Sequence, residues 1–304
     1  MSVKKQLKGK IVECVPNFSE GRRKEVIEAI VNEIDSVQKI RVLDVHSDED
    51  HNRSVVTFLG NPSAVVEAAL GAVRAASRLI DLTHHEGVHP RIGAADVVPI
   101  IPIRDTTMED CVNLARDLAR KISSEVGVPT YLYGFAALRE DRKNLEKVRR
   151  TGFEEMRKLV LEDATYYPDF GGPSLHSTAG ATVVGARYPL VAFNVNLDSD
   201  DLIAAKEIAE AIREKNSGLV GLKALGLRLN KLSCVQVSTN ITRTDIVSPY
   251  TIFDRIQAEA RKRGIKVRNS ELIGLMPLSS VVNLAGNAMH LETFSKEKII
   301  ELNI

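Results

Sequence analysis

The sequence lacks any apolar run approaching the roughly 18 consecutive residues of a membrane-spanning helix. Its beginning, MSVKKQLKGKIVECVP, lacks the apolar region of a secretory signal. An excess of charge is also absent, because 41 Lys and Arg residues are balanced by 40 Asp and Glu residues. We therefore expect a cytoplasmic protein whose overall field attracts neither nucleic acid nor a membrane surface.

Cysteine is scarce, with Cys14, Cys111 and Cys234 far apart in the chain and no CxxC pair. An odd number of widely separated thiols indicates reduced cysteines rather than a disulfide framework. The sequence therefore shows no sign of a structural zinc site built on cysteine.

Hydrophobic periodicity divides the chain into two similar halves. Strand and helix patterns in the order βαββαβ fill the first half, followed by a helix over roughly 107–125, a short strand and a helical segment. After a stretch rich in Gly, Pro and Ser at 166–181, the same order begins again. We predict an α+β fold of two ferredoxin-like α/β sandwich subdomains, residues 1–180 and 181–304, with a ligand groove between them.

Three of the seven histidines lie in the stretch HHEGVHPR, residues 84–91. Gly87 and Pro90 disfavour a regular helix, so we expect His89 on a loop before a strand, where functional residues commonly lie. Histidine titrates near neutral pH, and the neighbouring Arg91 supplies a permanent cation. His89 is therefore a candidate for proton transfer.

A metal site is an alternative for the same cluster. His84, His85 and His89 could be joined by His46, His51 and nearby aspartates. No HxxxH or HExxH spacing on a predicted helix supports this alternative. We instead expect His84 and His85 to end a helix, close to the negative end of its dipole.

Two other stretches place polar residues at the ends of predicted elements. In CVPNFSEGRR, Asn17 and Ser19 precede a helix whose free N–H groups favour an anionic ligand, although Ser19 could simply cap that helix. In HSDEDHNRSV, Arg53 begins a strand and could bind a carboxylate through two hydrogen bonds, or belong to a solvated hairpin loop.

The segment DFGGPSLHSTAGA between the halves combines glycines with polar side chains. Its glycines allow a backbone to approach a flat ligand closely, and its Ser, Thr and His residues offer hydrogen bonds. A flexible connector is the alternative interpretation.

Together, the stretches PNFSEG, HPRIGAADVVP and AFNVNL, in this order and spacing, closely resemble the glutamate formimidoyltransferase family. The resemblance extends from about residue 10 to about residue 290. It implies transfer of the formimidoyl group from N-formimidoyl-L-glutamate to N5 of tetrahydrofolate, in histidine degradation. It also implies two ferredoxin-like subdomains with folate between them, a homodimer and tetrahydrofolate as co-substrate. We expect no metal, and no fused cyclodeaminase domain of the mammalian kind, for which this chain has no room.

The resemblance assigns site residues at the matching positions. It makes His89 the catalytic general acid-base residue. It places folate along the linker segment, at Gly171, Gly172, Pro173, Ser174, Leu175, His176, Ser177, Thr178, Ala179 and Gly180. The candidates for carboxylate or polar contacts with substrate are Asn17, Ser19, Arg53, Arg91, Arg187, Asn194 and Asn196.

The acidic partner of the catalytic histidine stays open at this stage. Val88 stands where mammalian members usually carry a glutamate, and the carboxylate near the end of the LLD strand of those members is also replaced. Asp44 and Asp96 are the leading candidates, with Asp96 close to His89 in the chain, and Asp48 and Asp50 are the others.

Two alternatives to this function remain at the sequence level. Within the family, the enzyme could use N-formylglutamate with 5-formyltetrahydrofolate, or formimidoylglycine, because all of these share an amide or amidine carbon and a carboxylate. Outside the enzyme class, the chain could be a folate-binding protein without turnover.

Overall fold

The computed structural model describes residues 7–49, 51–87, 90–229 and 232–302, which form α-helices and two β-sheets. The predicted mixed α+β class is confirmed. The chain divides into two compact units between Arg187 and Tyr188. This division lies beyond residue 180, because the strand at 182–186 belongs to the first sheet. Over the ranges described, no helix is both long and apolar enough to cross a bilayer.

The first unit contains seven strands and five α-helices within the described ranges. Its strands are β1 (Ile11–Cys14), β2 (Asn17–Phe18), β3 (Ile40–Asp48), β4 (Arg53–Gly60), β5 (Ala95–Arg104), β6 (Thr130–Gly134) and β7 (Thr182–Ala186). Its helices are α1 (Lys24–Asp35), α2 (Pro62–Leu79), α3 (Met108–Lys121), α4 (Leu145–Arg149) and α5 (Gly152–Glu162).

The first sheet is mixed. β3 pairs with β4, and the short strands β1 and β2 both lie between β4 and β5, with all of these pairs antiparallel. β5, β7 and β6 then follow in that order as parallel neighbours. The antiparallel pairs therefore lie within the first βαββαβ pass, and both parallel pairs involve strands that follow it.

Apolar side chains cover both faces of β5. On one face Val98 and Ile100 join a cluster with Val26 and Ile30 of α1 and with the alanine-rich side of α2. On the other face Val97 packs in a second cluster with Tyr131, Tyr133, Val148 and Val183. Burial on two faces explains why ADVVPII reads as a nearly continuous apolar run rather than an alternating one.

The second unit has a four-stranded antiparallel sheet with the order β11-β8-β10-β9. Its elements are β8 (Val191–Leu197), α6 (Leu202–Ile212), β9 (Leu222–Leu229), β10 (Cys234–Ile241), α7 (Pro249–Arg261), β11 (Val267–Ile273) and α8 (Leu278–Ala288). Val195 and Val237 of the sheet pack against Ile208 of α6 and Ile252 of α7, which forms a separate core.

Candidate functional site

A recess in the first unit brings together three stretches that the sequence analysis singled out. PNFSEG, DHNRS and HHEGVHPRIGAAD all contribute side chains to it. Its lining residues are Phe18, Ser19, His51, Asn52, Arg53, His85, Arg91 and Asp96. The proposed catalytic residue His89 lies outside the described residues, as do its neighbour Val88 and the acid candidate Asp50.

Asn52 connects the three stretches. Its side-chain oxygen accepts a hydrogen bond from the backbone N–H of Gly21 at 2.9 Å, and its amide nitrogen donates to the carbonyl of Glu86 at 3.0 Å. The backbone of Asn52 is left-handed, with φ of 46°, a conformation that asparagine tolerates better than most residues. The sequence analysis did not select Asn52, because nothing in the sequence of this polar loop indicated a role for it.

Two glycines make this close docking possible. A Cβ at Gly21 would lie 2.2 Å from the carbonyl oxygen of Asp48, and one at Gly87 would lie 2.5 Å from that of His51. Both distances are shorter than any real carbon-oxygen contact. The loop that begins β4 can therefore approach both stretches only because glycine occupies these positions.

Ser19 does not cap the following helix. Its hydroxyl donates to the carbonyl of Gly93 at 2.7 Å, which ties the PNFSEG stretch to the segment before β5. The carboxylate of Glu20 instead accepts from the backbone N–H groups of Arg22 and Arg23, both at 2.9 Å, in the turn just before α1. Burial raises the pKa of Glu20, but these bonds and the Arg23 side chain bring the pKa below its usual value. A carboxylate of the protein therefore already lies in the turn that leads into this helix end.

Arg53 is a largely buried cation at the recess. One terminal nitrogen donates to the side-chain oxygen of Asn17. Its Nε is buried and has no hydrogen-bond partner among the described residues. Burial and the neighbouring charge of Arg149 lower the pKa of Arg53, but a guanidinium remains protonated in proteins. Arg53 therefore offers a poorly solvated positive charge to an incoming anion.

Asp96 occupies a bulge in β5, where Asn17 and Phe18 pair with Val97 and Ala95 and leave Asp96 between them. Such bulges redirect a side chain out of the regular alternation. One carboxylate oxygen accepts from the backbone N–H of Ile92 at 2.8 Å, and the other accepts from Arg149 at 3.0 Å. Asp96 thus fixes the segment after His89, and its role as the acid partner stays a prediction.

Arg91 lies in the recess but is already engaged by protein groups. Its two terminal nitrogens donate to the carboxylate of Glu154 at 3.2 and 2.9 Å. One of them also donates to the carbonyl of His85 at 2.9 Å. This forked geometry holds Arg91 firmly and leaves its terminal nitrogens less available to a substrate than those of an unpaired arginine.

His85, expected to end a helix, follows a single 3-10 turn and lines the recess. Its Nε2 lies 2.9 Å from the carbonyl oxygen of Asn52, so Nε2 carries the hydrogen and donates it. Its Nδ1 is buried and has no partner in the described part of the chain. Burial lowers the pKa of His85, and so does the charge of Arg91. An unsatisfied buried acceptor costs about 1–3 kcal/mol, which a ligand donor would recover.

Three guanidinium Nε atoms near this recess lack partners within the ranges described, those of Arg53, Arg91 and Arg149. The carboxylates of Asp96 and Glu154 are the charges paired with this group. The arrangement therefore suits an anionic ligand group beside a neutral histidine acceptor. Arg149 was missed at the sequence level, because it lies in an ordinary charged helix.

The linker segment is attached to the first unit near the recess. His176 and Gly180 exchange two backbone hydrogen bonds of 2.9 and 3.1 Å, which closes a tight loop. Leu82 donates from its backbone to Thr178 at 2.8 Å, and Gly93 pairs with Gly180. Nδ1 of His176 accepts from the backbone N–H groups of Thr178 at 3.3 Å and Ala179 at 3.0 Å. In the neutral ring the other nitrogen, Nε2, therefore carries the hydrogen and is able to donate. This segment therefore lies within reach of the residues before and after the histidine stretch.

Several other site candidates lie outside this recess. Asp44 lies on β3 opposite Thr57 and does not line the recess. Asp48 is bound to the backbone N–H of His51 at 2.8 Å. Arg187 follows β7, where it is hydrogen-bonded to Tyr133.

The two asparagine candidates belong to the second unit. The side-chain nitrogen of Asn196 donates to Asn269 at 2.8 Å and to Glu271 at 2.9 Å, and its oxygen accepts from Gln236 at 2.8 Å. Asn194 accepts from the backbone N–H of Thr239 at 3.2 Å. Both amides are therefore held by neighbours in their own sheet.

The metal alternative finds no support in the described ranges. No group of three or more His, Cys, Asp or Glu side chains within them could hold a metal ion.

Comparison with known proteins gives matches along almost the whole chain. Residues 11–187 match the family model described as the formiminotransferase domain, N-terminal subdomain, and residues 192–304 match the formiminotransferase domain. The chain is 44% identical over 291 residues to the glutamate formimidoyltransferase of Streptococcus pyogenes serotype M1, covering 96% of this chain and 97% of that protein. It is 42% identical over 292 residues to the glutamate formimidoyltransferase of Thermoplasma acidophilum, covering 96% of each. The formimidoyltransferase-cyclodeaminase of Sus scrofa is 42% identical over 281 residues, which cover 90% of this chain but 52% of that longer protein.

Proposed function

This chain belongs to the formiminotransferase family, and from that premise we propose that it transfers the formimidoyl group of N-formimidoyl-L-glutamate to N5 of tetrahydrofolate. The observation that supports this most is 42–44% identity, over nearly the full length, to two glutamate formimidoyltransferases. The chain is therefore a transferase that acts on small molecules, with tetrahydrofolate as its co-substrate.

The reaction requires two proton transfers at one carbon. N5 attacks the amidine carbon and loses its proton as the new N5–C bond forms. The tetrahedral centre then collapses, the bond from carbon to the glutamate nitrogen breaks, and that nitrogen takes up a proton. The products are 5-formimidoyltetrahydrofolate and L-glutamate.

We assign both proton transfers to His89, which accepts the proton of N5 and returns it to the leaving nitrogen. A well-placed general acid-base group contributes about 100- to 10,000-fold to such a reaction. The described residues on either side support this assignment, because Gly87 packs closely against the backbone of His51 and Ile92 is held by Asp96. Asp96 and Asp44 are its proposed acidic partners.

The recess supports a site for the substrate carboxylates. Arg53 is the strongest candidate, since it is buried, charged and only partly hydrogen-bonded. Arg91, Arg187, Asn17 and Ser19 would supply further polar contacts. In the second unit Asn194 and Asn196 would do the same.

The folate is proposed to lie along residues 171–180. We further propose that each half is ferredoxin-like, that the folate groove lies between the halves, and that no metal takes part. The proposal also includes a cytoplasmic homodimer.

An activity assay with a histidine variant tests this proposal. Purified wild type and His89→Ala would be given tetrahydrofolate and N-formimidoyl-L-glutamate, and the product converted by acid to 5,10-methenyltetrahydrofolate and followed by absorbance. We expect turnover by wild type, loss of at least about 100-fold in the variant, and nearly unchanged tetrahydrofolate affinity. His84→Ala, at an exposed position two residues beyond Leu82, is the matched control and should remain active.

Other outcomes would favour the alternatives. Turnover only with N-formyl-L-glutamate or formimidoylglycine would show that the enzyme uses one of these donors instead of N-formimidoyl-L-glutamate. Tetrahydrofolate binding without turnover of any donor would indicate a folate-binding protein and overturn the enzymatic proposal.

A further inference from the structure

The unpaired ring nitrogen of His85 points to a residue that selects the group to be transferred. We infer that Nδ1 of His85 accepts a hydrogen bond from the N–H of the formimidoyl group, and thereby favours formimidoyl donors over formyl donors. This inference rests on the proposed function and goes beyond it, because it names the side chain that would distinguish two otherwise similar donors.

The hydrogen bond of His85 to the neighbouring loop fixes which nitrogen can accept. The carbonyl oxygen of Asn52 has no hydrogen to give, so the ring donates to it from Nε2 at 2.9 Å. In a neutral imidazole the other nitrogen is then an acceptor. Asn52 is itself held by Gly21 and Glu86, so the orientation of the ring is set by a rigid loop.

The acceptor of His85 has no donor supplied by the described protein. Nδ1 is buried, it has no hydrogen-bond partner in the ranges that the structure describes, and the side chain lines the recess. Buried polar groups in proteins usually have a partner, and at a ligand site a group of the ligand can supply it. In this inference a donor on the substrate takes that role.

The charges around His85 keep it in the accepting form. From the histidine stretch and the helix packed on it, the ring meets Arg91 and Glu154, and from the PNFSEG stretch it meets Glu20. Three further titratable or charged residues line the recess together with His85, namely Arg53, His51 and Asp96. Burial is the largest influence and lowers the pKa of His85 below 6.5, and Arg91 lowers it further. The bond to Asn52, the charge of Glu20 and an interaction with the backbone of His85 itself oppose this shift in pKa.

The two donors differ at the atom that would meet this nitrogen. A formimidoyl group ends in a nitrogen that carries hydrogen, whereas a formyl group ends in an oxygen that only accepts. Two acceptors facing each other in a buried site leave both unsatisfied. A site built around a substrate N–H discriminates strongly against an analogue that lacks it.

The experiment measures the ratio of kcat/KM for N-formimidoyl-L-glutamate to that for N-formyl-L-glutamate, each with tetrahydrofolate. In His85→Leu we expect the ratio to fall by about 10- to 100-fold, because the formimidoyl N–H loses its acceptor and the formyl oxygen no longer faces a second acceptor. His85→Asn keeps an amide oxygen near the position of Nδ1 and should recover part of the ratio. His84→Leu, the exposed neighbour, should leave it unchanged.

A second measurement needs no substitution at all. Acidification of wild type below the lowered pKa of His85 adds a hydrogen to Nδ1 and turns it into a donor. The ratio should therefore be high near neutral pH and fall as the pH is lowered through the pKa of His85, and in His85→Asn it should be independent of pH. Titration of the general acid-base group affects both donors and cancels in the ratio.

The outcomes separate the inference from the proposed function. An unchanged ratio in His85→Leu, or a pH-independent ratio in wild type, would overturn the inference while formimidoyl transfer by wild type still upheld the function. Absence of turnover by wild type with either donor would overturn both.

Discussion

Arg149 donates a hydrogen bond to the carboxylate of Asp96 at 3.0 Å, although 53 residues separate them in the chain. The side chains are 13% and 4% exposed, so both charges are largely removed from water. The pair attaches α4 to the bulge of β5. It thereby connects the helical segment after the sheet with the residues that follow the proposed catalytic histidine.

Replacement of Asp96 by asparagine should be strongly destabilising. The variant leaves Arg149 without a counter-charge close to the buried Arg53, and loss of one partner of a buried ion pair costs about 3–5 kcal/mol. Urea unfolding followed by circular dichroism measures the loss. Asp117→Asn is the matched control, since Asp117 pairs with Lys121 at the surface, where such pairs contribute about 0–1 kcal/mol. If both variants lost the same free energy of unfolding, the Asp96–Arg149 pair would contribute no more than a surface pair.

Replacement of Arg53 by glutamine should weaken binding of the donor substrate. We expect KM for N-formimidoyl-L-glutamate to rise by about 10- to 100-fold, because a charge-assisted hydrogen bond to a carboxylate contributes about 1.5–3 kcal/mol. Steady-state kinetics at fixed tetrahydrofolate measures this. Arg22→Gln is the control, since the side chain of Arg22 is exposed and its Nε donates to the carbonyl of Glu49. If both variants kept the wild-type KM, the carboxylate would have to bind elsewhere.

Two glycines of the linker segment should differ in their response to alanine. Both have positive φ, 69° at Gly180 and 83° at Gly172, so each substitution carries a backbone cost of about 1–2 kcal/mol. A Cβ at Gly180 would lie 2.1 Å from the carbonyl oxygen of Ile92, whereas nothing lies within 4 Å at Gly172. Gly180→Ala should therefore lose about 1–3 kcal/mol more in thermal or urea unfolding, from overpacking. A greater loss in Gly172→Ala would contradict this account.

The three thiols should be unreactive in the folded protein. Cys14, Cys111 and Cys234 are buried, and burial raises the pKa of Cys111 to about 12 and that of Cys14 further. Because the thiolate is the reactive form, 5,5′-dithiobis(2-nitrobenzoate) at pH 8 should label no more than a trace of thiol before denaturant is added. In guanidinium chloride all three should react. Rapid labelling of a native thiol would reveal local opening of the fold around it.

The sequence by itself determined the elements and the family. Amphipathic periods and turn residues predicted the βαββαβ order, because these patterns arise from neighbours within a few residues. The family motifs identified the candidate stretches in the same way, since each motif is short and contiguous. Arg53, Arg91 and Asp96 were among the residues selected, and all three line one recess.

Only the tertiary structure decided how these residues are partnered. Glu20 rather than Ser19 binds the backbone N–H groups just before α1, Asn52 fixes the ring of His85, and Arg149 neutralises Asp96. Two of these three contacts join residues more than thirty positions apart, at bulges and loops where no periodic pattern exists. Hydrogen bonding and burial depend on which chain segments meet in space, and a linear pattern does not contain that information.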